Sequence, residues 1–317
     1  MLGTMKANRL HGFGGPEAIT FEEAPYPMPD PGQVLVRVHA AGVGPWDGWV
    51  RSGRSAIARS LPLTLGSDLA GTVEAVGSAE SAFVAGDEIY GVTNPQFTGA
   101  NAEFAVAMES MIALKPNRLS YVEAASVPVV AVTAWQMLFE HADISRGERV
   151  LVHGAAGNVG AYAVQLARLA GARVWGTAFA EDAEEVLRLG ARQVIEVGTV
   201  AAKPLERSFD AVIDTVGGTT QAALFPLLRA GGVLVSSVSQ PDPAMAKNYG
   251  VLPIFFLVKV DTRTLTTISA LLESGQLTAR VATVLPLAQA RRAHEILEGM
   301  LPSHGGKIVL AAEAVRA

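Results

Sequence analysis

The stretch "VLVHGAAGNVGAYAVQLARLAGARVWGT", residues 150–177, holds two apolar strands around one helix. Its first strand, "VLVH", runs into a glycine cluster at Gly154, Gly157 and Gly160. "GNVGAYAVQLARLAG" then reads as a helix stopped by Gly171, and "ARVWGT" as the next strand. A strand–helix–strand unit predicts a right-handed crossover and parallel pairing. Glycine between strand and helix has two readings. It lets the backbone approach a pyrophosphate at a helix N-terminus, whose free N–H groups favour anions. It also serves a plain tight turn. The spacing, G-A-A-G-x-x-G, meets the common fingerprint G-x-G-x-x-G only loosely, so these residues alone leave both readings open.

The rhythm continues on both sides. Upstream, "ASVPVVAVTAWQMLFEHADI" reads as a buried helix. Downstream, "DAEEVLRLG" is a helix ended by Gly190, and "ARQVIEV" and "FDAVIDTVG" are strands. A helix at "TTQAALFPLLRAGG" and a strand at "VLVSSV" follow. Strands separated by helices of about 10–15 residues imply βαβ units and a parallel sheet. The near-continuous apolar strands "VLV" and "AVI" suit a sheet covered on both faces.

The first 120 residues are β-rich instead. "GQVLVRVHAAGV" alternates, with Val34, Val36 and Val38 on one face and Arg37 and His39 on the other. "LAGTVEAVG", "GDEIYGV" and "TGANAEFAVA" are further short strands, and no helix of length is expected before about Val122. After about residue 260 come a helix at "DTRTLTTISALLESG", a strand at "ARVATVLPL", a helix at "AQARRAHEILEGML" and the final "GGKIVL". The expected class is α/β. A β-rich domain, 1–122 with 261–317, is interrupted by a doubly wound parallel-sheet domain, 123–260.

Half of the 317 residues are apolar, 17% are charged, and the formal net charge is -5. That balance, without any Lys/Arg run, gives no electrostatic reason to expect nucleic acid or an anionic membrane as partner. The absence of cysteine excludes disulfides, thiolate zinc sites, iron–sulfur clusters and cysteine nucleophiles. "MLGTMKANRLHGFGG" lacks a cationic region followed by an apolar core, and "VLPIFFLV" at 251–258 is too short to span a bilayer. A cytoplasmic protein acting on a small molecule is expected.

Over nearly the whole chain the motifs resemble the medium-chain dehydrogenase/reductase superfamily, in its zinc-independent quinone oxidoreductase-like branch. "MKANRLHGFGGPE", "PGQVLVRVHAAGVGPWDGWVRSG", "LGSDLAGTVEAVG", "VAGDEIYGV", "SVPVVAVTAWQML", "FDAVIDTVGG" and "GGKIVL" carry the likeness together with the glycine loop. The resemblance implies a GroES-like barrel domain and a Rossmann domain, hydride transfer in the cleft between them, and a homodimer. Alcohol dehydrogenases of this superfamily hold a catalytic zinc partly through cysteine. Here that region reads "AGVGPWDGW", with Gly44 and Pro45 and no sulfur, and the cysteine-rich lobe is missing. The histidines at 11, 39, 141, 153, 294 and 304 show no metal-like spacing, and His39 and His153 read as structural or solvated. No zinc is expected. Without a Lewis acid, quinones and α,β-unsaturated carbonyls (enones) are the fitting acceptors, because conjugation spreads the developing charge. An enoyl-thioester or natural-product tailoring reductase, and a catalytically silent NADP-binding sensor or scaffold, stand as alternatives.

The resemblance also implies cofactor contacts. Thr133 would lie near the nicotinamide, Gly157, Asn158 and Val159 at the pyrophosphate, and Thr177, Ala178 and Phe179 at the adenosine ribose. Val216 and Val238 would line the nucleotide groove. Phe255, Phe256 and Leu257 match a segment packed near the nicotinamide, and read equally as core or dimer strand. The substrate side would be Gly44, Trp46 and Trp49, where relatives often carry Asn at 44 and Tyr at 49. Those departures leave an aromatic wall, although both tryptophans read equally as core. Asp47 and Arg51 fit the family pattern, and equally a helix cap and a surface charge. No residue is named as a catalytic acid, so protonation by solvent is expected.

An NAD site normally carries an acid at the end of the second strand. Thr177 and Ala178 stand there instead, which spares a 2′-phosphate from repulsion, and NADPH is the expected cofactor. Glu181 and Asp182 follow closely and read as acids at a helix N-terminus. Residues 178–187 contain no cation, Phe179 replaces the small polar residue of NADPH-specific relatives, and Val197 stands where some have Tyr, so NADH stays open.

Overall fold

The computed structural model describes residues 3–55, 57, 60–198, 205–302 and 305–312. His304 lies outside them. The chain forms two compact units, Met1–Val129 with Val260–Ala317, and Val130–Lys259.

The first unit begins with β1 (Thr4–Leu10), β2 (Ile19–Pro25), β3 (Gln33–Val43), helix α1 (Pro45–Arg51) and β4 (Leu63–Thr64). It continues with β5 (Asp68–Val76), β6 (Glu88–Val92), β7 (Phe104–Met108), β8 (Ile112–Leu114) and α2 (Tyr121–Ala125). The alternation read in β3 is present in part: Val34, Val36 and Val38 are buried and Arg37 is exposed, but Leu35 is buried as well and His39 is half-buried. One edge of β3 pairs with β5 along nearly its whole length. Register shifts near Leu35 and Val38 add local twist, which helps the sheet to curl.

Helix α1 is a short helix in the stretch before Val122, where no helix of length is expected. Seven residues are too few for apolar periodicity to show, and the helix rests on its ends. Pro45 sets the first turn, and the Asp47 carboxylate accepts the Gly44 N–H at 2.8 Å. Helix α2 packs on β3 and β5, so it belongs to the first unit and the division falls after Val129 rather than after Val122.

The chain enters the second unit through α3 (Pro128–Trp135), extended by a π-helical turn to His141. Then come β9 (Arg149–His153), α4 (Asn158–Leu169), β10 (Arg173–Ala178), α5 (Ala183–Leu189) and β11 (Gln193–Glu196). β12 (Phe209–Asp214), β13 (Leu228–Ser236), α6 (Pro243–Tyr249) and β14 (Leu252–Phe255) complete it. All six strands run parallel in the order β11-β10-β9-β12-β13-β14. Counted from β9 this is 3-2-1-4-5-6, the doubly wound Rossmann order. Val150, Leu151 and Val152 of β9 are fully buried, as a strand with neighbours on both sides and helices on both faces requires.

The segment after β12 departs from expectation. Residues Gly218–Leu227 form a 3-10 helix, and β13 already starts at Leu228. Gly217 and Gly218 both have positive φ and Pro226 sits inside, so the i→i+4 ladder of an α-helix is not built.

The chain returns to the first unit with α7 (Thr262–Glu273), β15 (Val281–Pro286), α8 (Ala290–Leu297) and β16 (Lys307–Ala311). β16 runs antiparallel to β3 over Ala40–Val43 and parallel to β15. The other half of that β3 edge, Gln33–Arg37, is taken by β7.

Candidate active site

The glycine loop follows β9 at the place where the strand order reverses between β9 and β12, the usual ligand position in an open α/β sheet. Two of its three glycines are required by the space around them, and the third stands at the start of the following helix. Gly154 has φ +83°, and a Cβ there would stand 2.6 Å from Val216 Cγ2 and 2.7 Å from Thr215 Oγ1. A Cβ on Gly160 would run into the carbonyl of Gly154, so this glycine lets α4 seat on the loop. Gly157 is the α4 N-cap and brings no side chain to cap the first turn. A fourth, Gly176 on β10, passes unnoticed in the sequence; its Cβ would lie 2.6 Å from Ala155 Cβ. With Gly157 exposed and Asn158 and Val159 half-exposed, the first turn of a twelve-residue helix opens onto solvent. Its N–H groups and positive dipole end fit a dinucleotide pyrophosphate.

Beneath the loop lies a polar network. Thr177 Oγ1 accepts the Gly154 N–H at 2.9 Å, and the Thr177 carbonyl accepts the Ala155 N–H at 2.9 Å. His153 Nδ1 is 2.8 Å from Thr177 Oγ1, and its Nε2 is 3.1 Å from Thr220 Oγ1. Thr215 donates its hydroxyl to the His153 carbonyl at 2.7 Å. Asp214, fully buried, accepts from the Val216 and Gly217 N–H groups and from Gln221 Nε2. Burial pushes the His153 imidazole below the usual histidine range, with the Asp214 carboxylate opposing.

The other expected cofactor residues fall into two groups. Phe179 (59% exposed), Val216 (46%) and Val238 (41%) follow the C-terminal ends of β10, β12 and β13, where a groove-lining side chain must stand. Thr177 is 0% exposed, with its hydroxyl committed to Gly154 and His153, so it turns into the unit instead of towards a ribose. Ala178 and, on α3, Thr133 are buried too. Phe256 packs on His141 with ring centroids 4.3 Å apart, while Phe255 and Leu257 are exposed around the end of β14. Glu181 and Asp182 lie in a 3-10 turn ahead of α5.

In the first unit, Trp46 folds back over Gly44. A Cβ on Gly44 would lie 2.6 Å from the indole Cζ3 and closer to Cζ2 and Cη2. The indole Nε1–H donates to Ser67 Oγ at 3.0 Å, and Lys307 Nζ stands 4.1 Å from the ring centroid. Lys307 donates to Asp68 Oδ2 at 2.9 Å, and both side chains are buried. Burial raises the Asp68 carboxyl above the ordinary aspartate range, and the Lys307 ammonium opposes that. Trp49 is 45% exposed, so it is no core residue.

Arg51 is no surface charge: it is buried, and ties α1 to α8. It donates through Nε to His294 Nδ1 at 3.2 Å and through Nη1 to the Gly14 carbonyl at 2.6 Å, and it pairs with Glu298. His294 is pushed down to about 3, by burial first and by the Arg51 charge second. Sequence reading missed this pair because the partners are 243 residues apart.

Among the described residues no group of three or more His, Asp or Glu is placed to hold a metal ion, and the chain has no cysteine. No helix among the described residues is long and apolar enough to cross a membrane.

Comparison with known proteins agrees with this geometry. Residues 30–117 match the family described as "Alcohol dehydrogenase GroES-like domain", and residues 189–310 match "Zinc-binding dehydrogenase". A quinone oxidoreductase from Pongo abelii is 32% identical over 324 residues, covering 96% of this chain and 97% of that protein. The structure of the quinone oxidoreductase from Coxiella burnetii superposes with a TM-score of 0.89 at 29% identity, covering 98% of this chain and 100% of that one. A mycobacterial protein solved in complex with NADPH does so with a TM-score of 0.84 at 30% identity, covering 97% and 99%. The chain belongs to the medium-chain dehydrogenase/reductase superfamily, among its quinone oxidoreductase-like oxidoreductases.

Proposed function

We propose that the protein is a cytoplasmic, metal-independent, NADPH-dependent oxidoreductase that passes a hydride to a quinone or an enone. The observation that carries this reading is the open N-terminus of α4 over a glycine loop at the switch point of a Rossmann sheet, in a chain without cysteine. When bound, the dihydronicotinamide supplies the hydride.

The chain's own residues do the rest. Gly157, Asn158 and Val159 hold the pyrophosphate through first-turn N–H groups, and Gly154 and Gly160 keep the loop low enough for it to approach. Phe179, Val216 and Val238 line the groove. Trp46 and Trp49 give the acceptor an aromatic wall, and Gly44 leaves no side chain in the way of the Trp46 ring. Flat conjugated acceptors suit such a wall through stacking. The proton that completes reduction comes from solvent. NADPH is preferred over NADH because Thr177 and Ala178 put no carboxylate at the end of β10. The likeness to a protein solved with NADPH supports the same cofactor.

A homodimer is part of the reading. β14 is the outer strand of its sheet, and Leu252, Phe255 and Leu257 are exposed along and just beyond it. An apolar sheet edge of this kind suits pairing with a second copy.

The test is NADPH and NADH oxidation against a panel of quinones and enones. Turnover of either acceptor class, faster with NADPH, is the expected result. Tight cofactor binding without turnover of any acceptor favours the sensor alternative, and turnover confined to enoyl thioesters favours a thioester reductase.

A further inference from the structure

The directions of the hydrogen bonds around His153 can be assigned from its partners. Thr220 gives its hydroxyl hydrogen to the Gly217 carbonyl at 2.9 Å, so towards His153 it can only accept. His153 Nε2 therefore carries the proton. Thr177 Oγ1 already accepts the Gly154 N–H, and its own hydrogen is free to donate to His153 Nδ1. The alternative, a proton on both ring nitrogens, needs a charged imidazole in a buried place that disfavours charge. The result is one continuous chain of donors: Gly154 N–H to Thr177, Thr177 to His153, His153 to Thr220, Thr220 to the Gly217 carbonyl. It starts on the glycine loop after β9, passes the end of β10, and finishes in the turn after β12 that carries Val216.

We propose that His153 is a positioning residue for the cofactor. Through Thr177 it holds the Gly154 N–H inward, and through Thr220 it ties the glycine loop to the Val216–Gly217 turn, so that the two sides of the nucleotide groove form one rigid cradle before cofactor arrives. This rests on the reading that the loop binds a nicotinamide dinucleotide. It also explains why Thr177, at the end of the second strand, serves the loop and not the ribose.

Two measurements on the full chain test it. The first is calorimetric titration of NADPH into wild type, Thr177→Val, Thr177→Ser, His153→Phe and the double variant Thr177→Val/His153→Phe. Valine keeps the shape of threonine but breaks the chain, whereas serine keeps the hydroxyl. Breaking one link should weaken Kd about tenfold, the size of one hydrogen bond. Serine should restore wild-type affinity to within about twofold. The double variant should be no more than about twofold weaker than Thr177→Val, because one break is enough in a series. Thr177→Val binding like wild type, serine failing as valine does, or full additivity would each overturn the proposal. The second measurement is hydrogen exchange of the Gly154 amide in the cofactor-free protein. It should quicken about tenfold or more in Thr177→Val and not in Thr177→Ser. Unchanged exchange overturns the chain itself. Failure of wild type to bind NADPH or NADH, with the exchange result intact, overturns the positioning role through the dinucleotide reading on which it rests.

Discussion

The Trp46 indole occupies the space into which a side chain on Gly44 would project, so the two positions exclude one another's bulk. The ring is held there by Ser67 at its nitrogen and by Lys307 against its face. Gly44→Ala must displace the indole. On the proposed function, kcat/KM for a flat polycyclic quinone then falls about three- to tenfold, the value of one aromatic contact. A compact enone is affected less, and the ratio of the two values of kcat/KM measures the difference.

Lys307 and Asp68 share a buried site, and removing one leaves the other charge without its partner. Lys307→Met should cost about 3–5 kcal/mol of stability in denaturant unfolding. Combining it with Asp68→Leu should cost less than Lys307→Met alone, since no buried charge then remains.

His294 accepts a hydrogen bond from the Arg51 guanidinium at Nδ1, so a second proton on the ring would face a fixed positive charge. Its folded value, about 3, lies below the ordinary 6.5. Between those values the unfolded chain binds the proton and the folded one does not. Stability should therefore fall as pH drops from 6.5 towards 3, with a contribution approaching about 1.4 kcal/mol per pH unit. Chemical denaturation across this range should show that slope, and His294→Phe should flatten it.

If β14 is the dimer edge, Leu252→Lys combined with Leu257→Lys should place two charges per copy in the contact and yield monomers by light scattering. The wild type should run as a dimer.

The alternation of strands and helices after Val122 was legible because β9, β10 and β12 are apolar runs separated by helices with clear glycine stops at Gly171 and Gly190. The three loop glycines were legible as a group, but their separate reasons were not. Those depend on the distance from Gly160 to the Gly154 carbonyl and from Gly154 to Val216, which only the folded chain sets. The inward turn of Thr177 was not legible for a related cause: in a strand covered on both faces, alternation does not say which way a hydroxyl turns. His153 read as structural or solvated because its partners, Thr177 and Thr220, lie 24 and 67 residues away. Helix α1 escaped because seven residues including Pro45 and Gly48 carry no periodic signal. Arg51 looked like a surface charge because α8, which buries it, enters the sequence far downstream.

On the proposed function, hydride passes from NADPH to the acceptor without a metal. The most direct measurement is turnover of NADPH with a quinone or an enone by protein stripped with a chelator and kept in metal-free buffer. Undiminished turnover, no gain on adding zinc, and a higher kcat/KM with NADPH than with NADH are the expected results. Loss of activity on stripping that zinc restores, or cofactor binding with no turnover of any acceptor, would rule out metal-free hydride transfer.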